Sequence, residues 1–183
     1  MTCMPKPAPN LALVGPMGAG KSTVATLLAP LLGLRAVDTD AEIERGAGMP
    51  VAEVFRRHGE AGFRRMERET LARLLGAAGQ LLATGGGAVL DPATRDLLRR
   101  RAFVIHLHAG AGEQLARLHG DVGRPLLQCP DPAARLRELA AVRDPLYAAV
   151  AGLRIDTNGL SPRQVADRLH ATLEGAWRPG ETA

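Results

Sequence analysis

The chain has 183 residues, 46% of them hydrophobic, 23% charged and 3% aromatic, enough for one domain with a substantial core and against intrinsic disorder. A formal charge of +4 fits an anionic partner, yet the scarcity of aromatics excludes a stacking platform for single-stranded nucleic acid. Of 23 basic residues only two are lysines, Lys6 and Lys21.

Residues 1–10 carry three prolines and read as a flexible arm. An apolar strand over 11–14 precedes a Gly-rich turn and a helix over 21–32, which Gly33 stops. A second strand over 35–37 runs into Asp38, Thr39 and Asp40. Two helical stretches follow, broken near 46–50 and 59–62. The longer places Phe63, Met66, Thr70, Leu71 and Leu74 near a 3.6 period. Its interleaved charges (Arg64, Arg65, Glu67, Arg68, Glu69) read as a solvated face.

A third strand, 80–84, ends in Gly85, Gly86 and Gly87, and Asp91 caps a helix that begins at Pro92. A strand over 102–107 and a helix over 112–118 come next. Residues 120–132, rich in Gly and Pro, read as a lid. A helical region over 133–151 is expected to be interrupted by Pro145, and a strand over 153–156 and a helix starting at Ser161-Pro162 complete the chain. Residues 11–175 form one domain, and 176–183 read as a flexible tail. Five short apolar strands alternating with helices predict an α/β fold, a parallel sheet covered on both faces.

The cysteines, Cys3 and Cys129, are far apart and outside any CxxC, which fits a reduced, cytoplasmic setting. The five histidines show no zinc-site spacing, and His106 and His108, on one face of a strand, read as packing or solvent-facing residues. With no signal peptide and no apolar run of about 18 residues, no membrane association is expected.

Residues 15–22 read GPMGAGKS, a G-x-x-x-x-G-K-S loop between strand and helix. Gly15, Gly18, Ala19 and Gly20 aim backbone N–H groups at phosphate oxygens, and the helix behind adds positive potential. Lys21 supplies a point charge that a bulky planar guanidinium does not replace. Ser22 suits Mg²⁺, with Thr23 following. No lysine follows Lys21, so the guanine-selecting Asn-Lys-x-Asp is missing and a GTPase is disfavoured. Asp38 suits Mg²⁺ beside Ser22. Asp40 suits a substrate hydroxyl, or alternatively the N-cap of the helix behind it. The glycines at 85–87 mark a close backbone approach, at a strand end where ligands of such sheets bind.

GPMGAGKST, the strand-end DTD, GFR at 62–64, LATGGG at 82–87, RPLL at 124–127 and RDPLY at 143–147 together resemble the shikimate kinase family. The resemblance spans residues 11 to about 170. It implies a three-layer P-loop kinase fold whose five-stranded parallel sheet has order 2-3-1-4-5, with a lid and a substrate-binding helical segment. It also implies ATP-dependent phosphorylation of the 3-hydroxyl of shikimate by a monomer that binds neither nucleic acid nor membrane. By position, Arg64 and Arg143 match residues that grip the substrate carboxylate, Asp40 its hydroxyls, and Gly86, between Gly85 and Gly87, a backbone contact. Arg124 matches a lid arginine at the phosphates, and Arg117 a residue that packs on adenine. Phe55 and Phe63 match apolar residues near the substrate pocket. Leu160 stands where relatives often carry Arg or Gln beside adenine, and Cys129 has no role by this resemblance. Other small P-loop kinases, a silent nucleotide-binding homologue and a basic nucleic-acid binder are the alternatives.

Overall fold

The computed structural model describes residues 6–118 and 129–180. In chain order, the strands are β1 (Lys6–Ala8), β2 (Leu11–Val14), β3 (Arg35–Asp38), β4 (Gln80–Ala83), β5 (Phe103–His108), β6 (Leu153–Asp156) and β7 (Trp177–Pro179). The helices are α1 (Lys21–Leu28), α2 (Thr39–Ala47), α3 (Val51–Leu75), α4 (Pro92–Arg101), α5 (Ala111–Leu118), α6 (Pro132–Val150) and α7 (Pro162–Ala176). The main sheet has order β3-β4-β2-β5-β6 and every pairing is parallel. Counting its strands from β2, this is the expected 2-3-1-4-5.

Strand alternation builds the layers. Leu11 and Leu13 of β2 point to one face, where Val24, Leu28, Val165 and Leu169 from α1 and α7 complete a core. Ala12 and Val14 point to the other, against Leu71, Leu75, Leu98 and Tyr147 from α3, α4 and α6. With both faces covered, β2 is wholly buried, as a central parallel strand must be. A third, small cluster of Ile43, Val54 and Phe63 holds α2 against α3 as a separate helical segment.

The structure departs from the sequence expectations in three places. α6 runs unbroken through Pro145; the missing N–H costs one helical hydrogen bond, which packing of Leu136, Tyr147 and Val150 outweighs. The break near 59–62 is a kink at Gly59, whose φ of 65° and ψ of −178° leave the helical region within α3. Residues 6–10 of the arm and 177–180 of the tail are held together, where both segments are expected to be flexible. Lys6–Ala8 pairs in parallel with Trp177–Pro179, Trp177 Nε1 donates to Ala8 O at 3.0 Å, and Asn10 is fully buried, donating to Ala77 O at 2.7 Å and accepting from Gln80 N at 3.0 Å. The proline-rich composition hides this pairing because its partner lies about 170 residues away. Trp177→Ala is expected to lower the unfolding free energy by about 3–5 kcal/mol, read by circular dichroism in denaturant. A loss below about 1 kcal/mol would show that the terminal pair contributes little to stability.

The expected lid over 120–132 lies, through residue 128, outside the described residues. Pro132 opens α6, with Asp131 accepting from Ala134 N at 2.9 Å as its N-cap.

Candidate active site

At the carboxyl end of β2 the chain turns through Gly15, Gly18 and Gly20, all with positive φ (143°, 74° and 86°). Gly15 admits no side chain: a Cβ there would collide with the carbonyl of Leu107 on β5 and lie 3.5 Å from His106 Cδ2. The turn delivers the chain to α1, whose N-cap Gly20 offers no side-chain cap and whose first turn has no acidic residue. Its leading N–H groups therefore keep their positive potential for an anion. Lys21 is buried, and its Nζ donates to Gly15 O and Pro16 O, both at 2.8 Å, which seats the ammonium over the loop. Ala19 is buried beneath the loop, and Ser22 and Thr23 are exposed at its end.

Asp38 closes β3 and caps α2, accepting from Asp40 N at 2.9 Å and Ala41 N at 3.2 Å. Its other oxygen accepts from Ser22 Oγ at 2.5 Å. A hydroxyl and a carboxylate converging beside a phosphate loop form an oxygen donor set that fits a hard cation. The same geometry overturns the reading of Asp40 as a helix cap. α2 begins at Thr39, so Asp38 caps it and Asp40 sits in its first turn.

The glycines after β4 meet the site side chains directly. A Cβ on Gly85 would lie 2.7 Å from Glu67 Oε1 and 3.0 Å from Asp40 Oδ1. One on Gly86 would lie 3.4 Å from Gly15 O and 3.6 Å from Arg143 Nη1, and one on Gly87 would fall 2.7 Å from Arg64 Cζ. Gly85 N donates to Thr39 Oγ1 at 3.2 Å, and Tyr147 Oη to Gly86 O at 2.5 Å, so α2 and α6 both clamp this segment. Burial pushes the Tyr147 phenol pKa upward, keeping it a donor.

Arg64, Asp40 and Arg143 thus meet around one glycine strip, joined by a residue that sequence reasoning missed. Glu67 is 2% exposed and ion-pairs with Arg64 Nη1 at 2.6 Å. Burial pushes its carboxyl pKa up; Arg64 pulls it down, Asp40 pushes it up and Arg143 pulls it down. Its spacing carried a signal: Glu67 lies four residues from both Phe63 and Leu71, on the apolar stripe of α3 rather than on a solvated face. Phe55 and Phe63 stack with centroids 4.3 Å apart, and the Arg64 guanidinium carbon lies 5.2 Å from the Phe63 ring centre.

Arg117 is tied to protein groups. It donates to Gly18 O and Thr157 Oγ1, both at 3.1 Å, to Leu160 O at 3.4 Å, and to Glu113 at 2.9 Å. It thereby links the phosphate loop to the turn after β6, where Leu160 packs against the core through its side chain. Arg124 lies outside the described residues. Cys129 is a half-buried free thiol.

Gly87→Ala tests the close approach. The added methyl displaces the end of the Arg64 side chain, so the chain is expected to fold while an Arg64-bound acceptor loses about tenfold or more in affinity. Unchanged acceptor affinity in titration calorimetry would show that Arg64 is not held in place by this glycine.

A family model described as Shikimate kinase matches residues 17–174. A shikimate kinase of Stenotrophomonas maltophilia is 49% identical over 172 residues, covering 94% of this chain and 96% of that one. One of Halorhodospira halophila is 50% identical over 166 residues, covering 91% and 94%. Among solved structures, shikimate kinase from Acinetobacter baumannii in complex with shikimate superposes with a TM-score of 0.88 at 42% identity, covering 91% of this chain and 93% of that chain.

Proposed function

This chain belongs to the shikimate kinase family, and from that premise we infer how its own residues carry out the ATP-dependent phosphorylation of shikimate. The observation that carries the reading is the contact of one backbone strip, 85–87, with the phosphate loop through Gly15, with Asp40, and with both Arg64 and Arg143. That contact supports a phosphate donor and a carboxylate-bearing acceptor lying side by side.

ATP phosphates lie along the amides of residues 15–22, with Lys21 neutralising the β- and γ-phosphates and Ser22 and Thr23 at the head of α1. Ser22 and Asp38 would hold Mg²⁺, which when bound would neutralise phosphate charge. Arg124, within the segment 120–132 read as a lid and itself outside the described residues, adds positive charge at the transferring group. Arg117 packs on adenine while its donors stay on the protein, and the Leu160 side chain leaves base recognition to backbone and apolar contact. The shikimate carboxylate is gripped by Arg64 and Arg143, whose forked donors match a carboxylate in two parallel hydrogen bonds. The Gly86 amide steadies the ring, flanked by Gly85 and Gly87.

Asp40 accepts a hydrogen bond from the 3-hydroxyl and takes its proton as the oxygen attacks the γ-phosphorus. The bond to the bridging oxygen breaks, and ADP leaves. Glu67 holds Arg64 in place. The accompanying reading is a cytoplasmic monomer whose domain, residues 11–175, is extended by the paired segments 6–10 and 177–180, acting without nucleic acid or membrane; no helix among the described residues is long and apolar enough to cross a membrane.

A coupled ADP-release assay offered shikimate, gluconate and nucleoside monophosphates tests this. Turnover with shikimate alone is expected. Turnover that is independent of shikimate, or faster with another acceptor, would overturn it.

A further inference from the structure

β5 ends beside the phosphate loop with two imidazoles on one face, His106 and His108, and α6 packs Asp144 against them. One ligand atom from each of the three lies within 4.8 Å of the other two. His106 is only 2% exposed, yet neither of its ring nitrogens has a hydrogen-bond partner, and Nδ1 of His108 is likewise buried without one. Three orphaned imidazole nitrogens in one spot are expensive, because buried polar atoms are nearly always paired. The neighbouring hydroxyl does not serve them: the Tyr147 ring lies 4.9 Å from that of His106, but its Oη is engaged with Gly86 O.

We propose that His106, His108 and Asp144 form a binding site for a transition-metal dication of the Zn²⁺ class, separate from the Mg²⁺ position at Ser22 and Asp38. Two imidazoles and one carboxylate are a ligand set that Zn²⁺ and its neighbours prefer and that Mg²⁺ does not. Tetrahedral ligation at about 2.0–2.1 Å places ligand atoms roughly 3.4 Å apart, so the three side chains close inward by little more than 1 Å. His108 and Asp144 are half-buried and line an open cleft of about 450 Å³ with Ala109, Arg137 and Pro145. That cleft gives an ion its path and leaves its fourth position to water. Asp144 directly follows Arg143 on α6, so a bound ion ties the arginine-bearing helix to β5.

The site is tested on the full chain, stripped with chelator and free of nucleotide, by calorimetric titration with Zn²⁺ and by visible absorption with Co²⁺. One saturable equivalent is expected, with intense bands of a four-coordinate Co²⁺. His108→Ala and Asp144→Ala should each weaken it at least tenfold, whereas Ser22→Ala and His170→Ala should not. Because His106 sits in the core, His106→Gln is read only after circular dichroism shows that it folds; the two half-buried ligands carry the test without it. No saturable binding, or affinity that survives both His108→Ala and Asp144→Ala, would overturn the proposal. The first outcome would leave a bridging water as the partner of these nitrogens, and the second would place the ion on other surface groups.

Discussion

Asp40→Asn is expected to lower kcat by at least about 100-fold while leaving ATP affinity within about twofold, since positioned proton transfer typically contributes 10²–10⁴. The carboxylate stands in the first turn of α2, and its Oδ1 comes within 3.0 Å of where a Gly85 Cβ would sit, at the acceptor side of the phosphate loop. The amide keeps size and hydrogen bonding but removes the proposed base. ATP binding is spared because the phosphate loop belongs to β2 and α1 and is seated by Lys21, not by Asp40. Asp38, which caps α2, remains, so the helix itself is undisturbed. Turnover is read by coupled ADP release and ATP affinity by calorimetry. A kcat within threefold of the parent would remove Asp40 from the chemistry.

Arg143→Ala is expected to raise the KM for shikimate by about 10- to 100-fold, with the KM for ATP nearly unchanged. A charge-assisted hydrogen bond contributes about 1.5–3 kcal/mol, and Arg143 is only 8% exposed, so little solvent screens it. It also lowers the pKa of buried Glu67; its loss therefore leaves that carboxyl more readily protonated and loosens the partner of Arg64. Arg143→Lys should recover only part of the affinity, since an ammonium lacks the planar fork. Equal increases in both KM values would show that Arg143 supports the site as a whole rather than gripping the acceptor.

The differences between sequence and structure follow from reach along the chain. The phosphate loop was fully legible, because Gly15 to Ser22 are contiguous and their φ signs, helix start and charge are local properties. The five strands of the main sheet were legible as short apolar runs between helices, and their order agreed with the one the family resemblance implied, while the β1–β7 pair was missed. Charge patterning misread Glu67, since a run of Arg and Glu looks solvated until α3 packs its Glu67 side beneath Gly85. Local breakers also misled. Pro145 predicts an interruption, but a 19-residue helix anchored by Leu136, Tyr147 and Val150 keeps its course.

His106 is the sharpest contrast. Its alternation with His108 is visible in β5, and burial lowers its pKa to about 4, with His108, Arg154 and Lys21 adding to that shift. Nothing near it in sequence identifies Asp144. The sequence alone determined the nucleotide chemistry, the layer architecture and, through a resemblance, the acceptor. Only the tertiary structure decided that residues 6–10 and 177–180 are held, that Glu67 joins Asp40 and Arg64, and that Asp144 reaches two histidines. Local motifs are written in backbone preferences over a few residues. Long-range meetings are decided by which apolar faces bury one another, and those become known only once the sheet is assembled.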